Sequence, residues 1–278
     1  MSGQPFHEKD PRPAKQTGHY NRYPGHPAAN ARKINRILVM HKRIETAEPS
    51  LLRDLEEHGF VIVREVLQPE IVNELAAGIE RMHRNRASKP AHGLRNLLQA
   101  IPAVRRISES PEIRTLVEPV LGSNAFVARS LLFDKTPEAN WQVAWHQDLT
   151  IAVHAKIEVP GFCAWSVKDG VVHVQPPVAL LERMLTVRLH LDDCDSLNGP
   201  LQVIPGSHKV GRLDAKQISE WRARQATATC IVPRGGALLM RPLLLHASSR
   251  ATQPGHRRVV HLEFAGEPLP GGLKWHQA

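Results

Sequence analysis

The stretch Trp141-Gln-Val-Ala-Trp-His-Gln-Asp-Leu-Thr-Ile-Ala-Val153 reads as a β-strand, because aromatic and β-branched residues dominate it and no Gly or Pro interrupts it. It also carries His146 and Asp148 two positions apart. Side chains at i and i+2 of a strand point to the same face of the sheet. The stretch therefore predicts a strand that presents an imidazole and a carboxylate side by side.

Further short runs of apolar and β-branched residues surround this stretch from Gly122 onward. Turn signals such as Asn198-Gly-Pro200 and Pro233-Arg-Gly-Gly236 separate them. The predicted strands are Ala125–Phe133, Trp141–Val153, Met184–Leu191, Leu201–Ile204, Thr229–Val232, Ala237–Met240, Leu243–His246 and Arg257–Phe264. About eight short strands without an internal repeat indicate a double-sheet jelly roll.

The amino-terminal half of the chain has the helical period instead. The predicted helices are Ala31–Arg43, Leu51–His58 ended by Gly59, Gln68–Arg86, and further helix between Leu94 and Leu121 interrupted at Pro102 and Pro111. Between the first helices, Phe60–Val63 is a short β-branched run that predicts a strand. Helices followed by strands predict an α+β fold, in which the strands form the double-sheet jelly roll and the N-terminal helices flank it.

The composition favours a cytoplasmic protein. No run approaches the roughly 18 apolar residues of a membrane span, so no membrane association is expected, and the amino terminus has no apolar targeting segment. The three cysteines have no metal-like or paired spacing, which is typical of a reducing compartment. Cys163 lies in an apolar stretch, where a packing role is favoured over a nucleophilic one.

The charge is concentrated at the amino terminus. Residues 1–45 contain nine Lys and Arg against three Asp and Glu, which supplies +6 of the net charge of +9 of the 278-residue chain. We therefore predict a basic, largely disordered arm over residues 1–48 and one folded domain over residues 49–278. The folded part has no basic stripe with interleaved aromatics, so no nucleic-acid partner is expected.

A third ligand would complete a metal site with the His146 and Asp148 pair. His246 ends the apolar run Leu238–Leu245, so a buried strand would deliver it inward. Two histidines and one carboxylate form the facial triad of non-haem Fe(II) oxygenases, which leaves coordination positions open. His190 and Asp192 have the same spacing on another predicted strand, and spacing alone leaves both pairs as candidates.

Three motifs together resemble the phytanoyl-CoA dioxygenase family. They are Leu132-Phe-Asp-Lys-Thr-Pro-Glu-Ala-Asn-Trp-Gln-Val-Ala-Trp-His-Gln-Asp148, Asn198-Gly-Pro-Leu-Gln-Val-Ile-Pro-Gly-Ser-His208, and His246-Ala-Ser-Ser249 followed by Arg257-Arg258. The resemblance implies a double-stranded β-helix, and it implies hydroxylation that uses Fe(II), 2-oxoglutarate and O₂. It places the iron ligands at His146, Asp148 and His246.

The resemblance also implies an arginine that binds the distal carboxylate of 2-oxoglutarate eleven residues after the last histidine, which is Arg257. A guanidinium suits this task because it donates a bidentate pair of hydrogen bonds to a carboxylate. Alternation puts Arg257 with His261 and Arg258 with an apolar face, yet strand register is easily misjudged and Arg258 stays an alternative. Ser248 is a further candidate for cosubstrate binding, and a turn role is its alternative.

The substrate site is expected between the ligand strands. The polar segment Trp165–Pro177 resembles, by its position, the loop that closes over substrate in such enzymes, and a plain surface loop is its alternative. Trp165, Lys168 and His173 are the candidates for substrate contact there. Arg129, on the strand before the metal motif, either contacts substrate or pairs with a carboxylate. His208 is predicted to be a turn and packing residue rather than a fourth ligand.

The sequence thus predicts a 2-oxoglutarate-dependent hydroxylase acting on a small, polar or anionic molecule, with release of succinate and CO₂. The carboxylate at position 148 favours hydroxylation over halogenation, in which a small residue leaves room for halide. Two other classes stay open: a cupin-like metal-dependent isomerase or hydrolase, and a non-catalytic metal-binding regulatory protein, since a fold does not determine a function.

Overall fold

A computed structural model describes residues 41–43, 48–84 and 93–277 of the chain. The helices are α1 (Glu48–His58), α2 (Pro69–Arg84), α3 (Leu97–Ala100), α4 (Pro102–Ser108), α5 (Pro111–Leu121), α6 (Val178–Glu182) and α7 (Ala215–Arg224). The strands are β1 (His41–Arg43), β2 (Phe60–Glu65), β3 (Leu94–Arg95), β4 (Phe126–Lys135), β5 (Val143–His146), β6 (Ile151–Val153), β7 (Cys163–Lys168), β8 (Val171–Gln175), β9 (Leu185–His190), β10 (Leu201–Val203), β11 (Ala228–Cys230), β12 (Ala237–Met240), β13 (His246–Ser248) and β14 (Arg257–Ala265).

Two sheets form the body of the fold. The larger has the order β1-β2-β12-β9-β14-β4-β3 and the smaller the order β11-β10-β13-β5. Phe60 and Leu238 of the larger sheet share one buried apolar cluster with Leu201 and Cys230 of the smaller sheet. The two sheets therefore pack face to face as a jelly roll, with the non-consecutive strand order typical of that architecture.

The amino-terminal helices cover the outer face of the larger sheet. The apolar stripe of α2, with Leu75 and Ile79 fully buried, joins the cluster that contains Val187, Leu189 and Leu262 from the strands. Pro102 and Pro111 occupy the first positions of α4 and α5, where the missing N–H of proline costs no hydrogen bond. The α+β fold and the helical breaks at these prolines are confirmed.

Gly59 ends α1 as predicted. It has φ of 83° and its N–H donates to the Leu55 carbonyl at 3.1 Å. A side chain here would also collide with the ring of His208. The turn after α1 therefore needs glycine for both its backbone conformation and its space.

The prediction for Ala31–Arg43 is wrong where it can be compared. His41–Arg43 forms strand β1, which pairs in parallel with β2, rather than the end of a helix. Residues 31–40 lie outside the described residues, as does most of the predicted arm over residues 1–48. Pairing with an adjacent strand outweighs the weak local preference of a short segment for helix.

Two predicted strands are broken in the structure. The stretch from Trp141 to Val153 divides into β5 in the smaller sheet and β6 in a third sheet of order β6-β8-β7. Residues 243–245 are not a strand, and β13 begins only at His246. Apolar and β-branched composition does not distinguish a continuous strand from a chain that crosses between two sheets, because the same residue types favour both.

The segment Trp165–Pro177, predicted as a loop, contains most of the β7–β8 hairpin. Its turn residues Asp169 and Gly170 both have positive φ, at 49° and 77°. Asp-Gly between β-branched runs is the signature of a two-residue hairpin turn, and this signal identifies the hairpin from sequence. Within the described residues, no helix is both long and apolar enough to cross a bilayer.

Candidate metal centre

The structure brings His146, Asp148 and His246 together. His146 is the last residue of β5 and faces His246, the first residue of β13, across the antiparallel ladder. Asp148 lies beyond the end of β5, not on a strand as predicted, and its N–H donates to the Pro242 carbonyl at 2.9 Å. One ligand atom from each residue lies within 4.8 Å of the other two.

The separations within the triad suit a shared ion better than direct contact. Nε2 of each histidine lies 3.8 Å from a different oxygen of Asp148, which is too long for a hydrogen bond. The two imidazole rings are 4.2 Å apart at their centroids. Three donor atoms thus surround a space into which metal–ligand bonds of about 2 Å fit after small side-chain movements.

Hydrogen bonds orient both imidazoles for metal binding. Nδ1 of His146 lies 2.8 Å from the Ala144 carbonyl, and Nδ1 of His246 lies 2.9 Å from the Leu244 carbonyl. Because a carbonyl only accepts, each Nδ1 carries the hydrogen and each Nε2 presents its lone pair to the space beside Asp148. This is the outer-shell arrangement that metal-binding histidines usually have.

The protonation states of His246 and Asp148 also suit metal binding. Burial lowers the pKa of His246 to about 4, so its imidazole is neutral near pH 7. Burial alone raises the pKa of Asp148, but the neighbouring His246 and His146 outweigh it and hold that pKa well below its usual value. A neutral imidazole and an ionised carboxylate are the forms that bind a divalent ion. The described residues therefore fit a metal with two nitrogen ligands and one oxygen ligand.

Gln147 holds the metal motif in place, although the sequence analysis did not identify it. Its side chain is buried, its Nε2 donates to the carbonyls of Leu243 and Gly211 at 2.8 Å, and its Oε1 accepts from the Leu213 N–H at 2.8 Å. The amide is therefore fully engaged, with the loop at residues 211–213 and with Leu243 on a second segment. It fixes the backbone between the two neighbouring ligands.

The alternative pair His190 and Asp192 does not form a metal site. The imidazole of His190 is buried with neither ring nitrogen bonded among the described residues. Asp192 instead accepts from Arg258, with Nη2 at 2.7 Å and Nε at 2.9 Å. Within the described part of the chain, the triad at 146, 148 and 246 is the one cluster whose donor atoms approach closely enough for an ion.

A cavity of about 120 Å³ joins the triad to Arg257 and Ser248. Arg257 is buried, its Nη1 donates to the Gly199 carbonyl, and its Nε has no partner among the described residues. Arg258 projects from the other face of β14 and pairs with Asp192 and Glu80. Of the two candidate arginines, the structure places Arg257 in the cavity and Arg258 outside it.

Lys135 contacts Ser248 beside the cavity, although the sequence analysis did not identify it as a site residue. Its fully buried Nζ donates to Ser248 Oγ at 2.7 Å and to the Ser249 carbonyl. Burial and the nearby Arg257 lower the pKa of Lys135 to about 8. The Ser248 hydroxyl is directed towards the Gly199 carbonyl at 3.2 Å. Lysine and arginine thus make this end of the cavity strongly positive.

The structure explains why the Asn198-Gly-Pro200 motif has glycine at position 199. Gly199 has φ of 71°, and a β-carbon at this position would approach the Ser249 carbonyl to 2.6 Å and Lys135 Nζ to 2.9 Å. Its carbonyl accepts from Arg257. Any larger residue would displace the groups that position Arg257, because real β-carbons do not approach other atoms so closely.

The four residues predicted to contact substrate lie outside the cavity. Arg129 forms a buried ion pair with Glu263, the carboxylate alternative that the sequence left open. Lys168 is exposed beside the hairpin turn, while Trp165 is half-buried with its Nε1 unpartnered among the described residues. His173 is fully buried, with Nδ1 donating to the Val171 carbonyl at 2.9 Å. Their role in substrate binding stays a prediction.

His208 and Cys163 have no place at the triad. Nε2 of His208 lies 3.2 Å from the Glu56 carbonyl, at the junction with α1. Cys163 is exposed on β7, with Sγ directed to the Gln175 amide oxygen at 3.8 Å. The packing role predicted for His208 agrees with its contacts, whereas the packing role predicted for Cys163 is wrong because Cys163 is exposed, as is most of β7.

The buried His173 is expected to make the protein less stable in mild acid. Burial lowers its pKa to about 4, whereas an unfolded histidine has a pKa of about 6.5. Between these values the unfolded state binds more protons, so stability is lost as the pH falls from about 6.5 towards 4. Urea unfolding should show the free energy of unfolding falling by about 2 kcal/mol more in the wild type than in His173→Leu between pH 7 and pH 4.5. Parallel pH dependences would contradict this assignment.

Comparisons with known proteins agree with the fold and the motifs. The sequence model of the family described as phytanoyl-CoA dioxygenase (PhyH) matches residues 55–259. The chain is 25% identical over 170 residues to a protein named ectoine dioxygenase from Bordetella bronchiseptica, with 57% of this chain and 48% of that protein aligned. The chain thus spans about half the length of this curated relative.

Two solved structures have the same fold. EctD from S. alaskensis, crystallised with 2-oxoglutarate and 5-hydroxyectoine, superposes with a TM-score of 0.62 at 19% identity, covering 82% of this chain and 80% of that chain. The epimerase SnoN, in complex with Fe³⁺, alpha ketoglutarate and nogalamycin RO, superposes with a TM-score of 0.61 at 16% identity, covering 82% and 92%. At such identities the likeness establishes the fold, and the double-stranded β-helix is confirmed.

The family match extends from α1 to the third residue of β14, and it includes all three triad residues and Arg257. It covers well over half of the chain. The chain belongs to the phytanoyl-CoA dioxygenase family.

Proposed function

We propose that this chain is an Fe(II)- and 2-oxoglutarate-dependent dioxygenase that hydroxylates a small, polar or anionic metabolite and releases succinate and CO₂. We assign the activity to residues 49–278. The observation that carries the proposal is the cavity that joins His146, Asp148 and His246 to the buried Arg257. A divalent ion at one end and a guanidinium at the other are complementary to a 2-oxo dicarboxylate.

His146, Asp148 and His246 would hold the ion on one side only and leave the cavity side open for co-substrate and O₂. Arg257 would bind the distal carboxylate through its free guanidinium hydrogens, while Gly199 fixes its orientation. Bound together, Fe(II) and 2-oxoglutarate supply the oxidising chemistry, in which decarboxylation of the oxo acid accompanies the activation of O₂. The apolar and aromatic walls from Phe133, Trp141 and Leu201 would keep water from this centre.

The expected substrate class follows from charge and access. Lys135, Arg188 and Arg257 are buried around the cavity, and no carboxylate of the described residues lies within ion-pair distance of them. This surplus of positive charge favours an anionic or polar ligand over an apolar one. The side chain of His146 is 39% exposed, so substrate would approach the ion from that side. The relative named ectoine dioxygenase also suggests a small polar substrate.

Anaerobic titration with Fe(II) and 2-oxoglutarate tests the proposal directly. A charge-transfer band in the visible region should appear only when both are present, and O₂ should then convert 2-oxoglutarate into succinate. The absence of both the band and succinate would contradict the proposal. It would favour a metal-binding protein without oxo-acid chemistry.

Arg257 should be required for 2-oxoglutarate affinity, and Arg258 should not. In Arg257→Gln, the Kd of 2-oxoglutarate measured by calorimetry should rise by about 10- to 100-fold, because charge-assisted hydrogen bonds to the carboxylate are lost. Arg258→Gln is the matched control, since Arg258 pairs with Asp192 on the outer face. Equal effects of both substitutions would show that position 257 has no special role.

The second candidate function is epimerisation driven by the same 2-oxoglutarate chemistry, because the structural neighbour SnoN is an epimerase. Both candidates consume 2-oxoglutarate. Labelling with ¹⁸O₂ distinguishes them, since a hydroxylase transfers one labelled oxygen to its substrate and an epimerase transfers none. We favour hydroxylation because the relatives matched in sequence are named dioxygenase and hydroxylase.

We further propose that the protein acts in the cytoplasm. Its three cysteines are free, and two of them, Cys194 and Cys230, are buried in the core between the sheets. Reduced cysteines are typical of that compartment. The boundary predicted between the basic arm and the catalytic domain at residue 48 is moved towards the amino terminus, because His41–Arg43 pairs with β2 of the larger sheet.

A further inference from the structure

Arg188 is a second guanidinium inside the cavity, and the proposed function uses its charge without assigning it a binding partner. It lies on β9 opposite His261 of β14, with 6% of its surface exposed, and it lines the same cavity as the triad. Its neighbours along β9, Val187 and Leu189, face the helices. Alternation therefore directs Arg188 to the opposite face of β9, together with the buried polar Thr186 and His190.

A chain of buried hydrogen bonds holds Arg188 in one orientation. Its Nη1 donates to His261 Nδ1 at 2.8 Å, and His261 Nε2 donates to Glu263 Oε1 at 3.0 Å. Arginine has no acceptor, so His261 Nδ1 must accept, which leaves the hydrogen on Nε2 for Glu263. Arg129 balances the charge of Glu263 from the other side. The guanidinium also lies 5.3 Å above the Phe133 ring.

Arg188 lacks a counter-ion of its own. No carboxylate of the described residues lies within ion-pair distance of it, and its buried Nε has no hydrogen-bond partner there. Burial lowers its pKa to about 10, so it stays charged at neutral pH. A buried, unpaired charge is costly unless a ligand compensates it. The folded chain thus maintains a preoriented anion-binding group in the cavity.

Arg188 lies nearer to the triad than Arg257 does. Arg188 lies on β9 opposite His261 of β14, and Arg257 lies four residues before His261 on the same strand. Four residues span about 13 Å along a strand. On the smaller sheet, Arg257 contacts Gly199, which lies four residues before Val203, and Val203 is the residue that pairs with His246 of the triad. The two guanidinium groups therefore line different levels of one cavity of about 120 Å³, and they are close enough that the charge of Arg257 also lowers the pKa of Arg188. That volume leaves room for one small dicarboxylate between them.

We propose that Arg188 binds the carboxylate next to the oxo group of the co-substrate, beside the triad, while Arg257 binds the opposite carboxylate. His261 and Glu263 act as positioning residues for Arg188. This inference rests on the proposed function, because it assigns both guanidinium groups to one 2-oxo dicarboxylate. A carboxylate on the organic substrate is the other possible source of the same chemistry, and the two sources are separable by experiment.

The test uses two five-carbon oxo acids and the full chain loaded with Ni(II), which binds without turnover. 2-Oxoglutarate has both carboxylates, and 2-oxopentanoate lacks the distal one. Calorimetry should show that Arg188→Gln weakens the binding of both acids by a similar factor, about 10- to 100-fold. Arg257→Gln should weaken 2-oxoglutarate alone and leave 2-oxopentanoate within about twofold of the wild type. Arg258→Gln, on the outer face, should change neither.

The outcomes separate this inference from the proposed function. If the wild type binds 2-oxoglutarate and Arg188→Gln binds both acids as tightly, Arg188 does not hold the oxo-acid end, and the substrate becomes the source of its anion. If the wild type binds neither acid, the proposed function fails with it. Arg188→Lys keeps the charge and loses the planar fork, so it should bind both acids about tenfold more weakly even if Arg188→Gln does not fold. Unchanged affinities in a folded Arg188→Lys protein would equally overturn the inference.

Discussion

His146→Ala is expected to abolish Fe(II) binding and, with it, the formation of succinate from 2-oxoglutarate. Loss of a residue that only orients a metal ligand typically costs 10- to 100-fold in metal affinity, so loss of the ligand itself should cost at least about 100-fold. The His146 side chain is 39% exposed, and its removal should therefore leave the fold intact. Anaerobic equilibrium dialysis with Fe(II) measures the affinity, and the visible band with 2-oxoglutarate reports the assembled site.

His190→Leu is the matched control for this prediction. His190 has the same sequence context two positions before an aspartate, but it is buried away from the triad and hydrogen-bonded through neither ring nitrogen in the described structure. Leucine has a similar volume and removes a buried polar group without a partner. Retained iron binding in His146→Ala combined with its loss in His190→Leu would move the metal site to the second pair.

Arg129→Met is expected to lower the free energy of unfolding by about 3 to 5 kcal/mol. Arg129 and Glu263 form a buried ion pair, with side-chain exposures of 13% and 5%. Removal of one partner leaves Glu263 charged in the interior with only His261 as a hydrogen-bond donor. For a domain of this size, such a loss lowers Tm by roughly 6 to 20 °C. Urea denaturation and thermal unfolding at pH 7 measure both quantities.

The double substitution Arg129→Met with Glu263→Leu checks the physical cause. Replacement of a buried ion pair by apolar residues is often neutral, so the double variant should recover most of the lost stability. His261 would then lose its acceptor, and Arg188 its fixed orientation, so 2-oxoglutarate affinity should stay reduced. A change below about 1 kcal/mol in Arg129→Met would mean that the pair carries no buried charge. The role of Arg129 in substrate contact would then regain support.

Much of the fold was predictable because local and long-range preferences agree. The helical period of Gln68–Arg86 and the prolines at 102 and 111 led to the observed helices, since amphipathic stripes and proline act locally. The strand after Gly122 and the last strand from Arg257 were also predicted close to their observed bounds. Strand order, and the assignment of strands to sheets, depend on pairing between remote segments and have no local signal.

The residues of the candidate site also fall into those that the sequence identified and those that only the structure identified. Residue types and spacing left His146 with Asp148 and His190 with Asp192 as candidate pairs, and only the family resemblance selected the first pair together with His246 and Arg257. Residue types and spacing were not enough to find Gln147 or Lys135, whose importance comes from partners more than 60 residues away. Arg129 was taken as a substrate candidate because its carboxylate partner, Glu263, is 134 residues away in sequence.

The sequence by itself determined the family, the fold class and the chemical types of the residues at the site. The tertiary structure alone decided which of two adjacent arginines faces the cavity and which of two His-Asp pairs meets a third ligand. It alone also showed that Arg188 lines the same cavity with no carboxylate partner among the described residues. The physical reason is that side-chain chemistry is a property of each residue. Burial, strand register and the nearness of opposite charges arise only when distant strands pair and the two sheets close on each other.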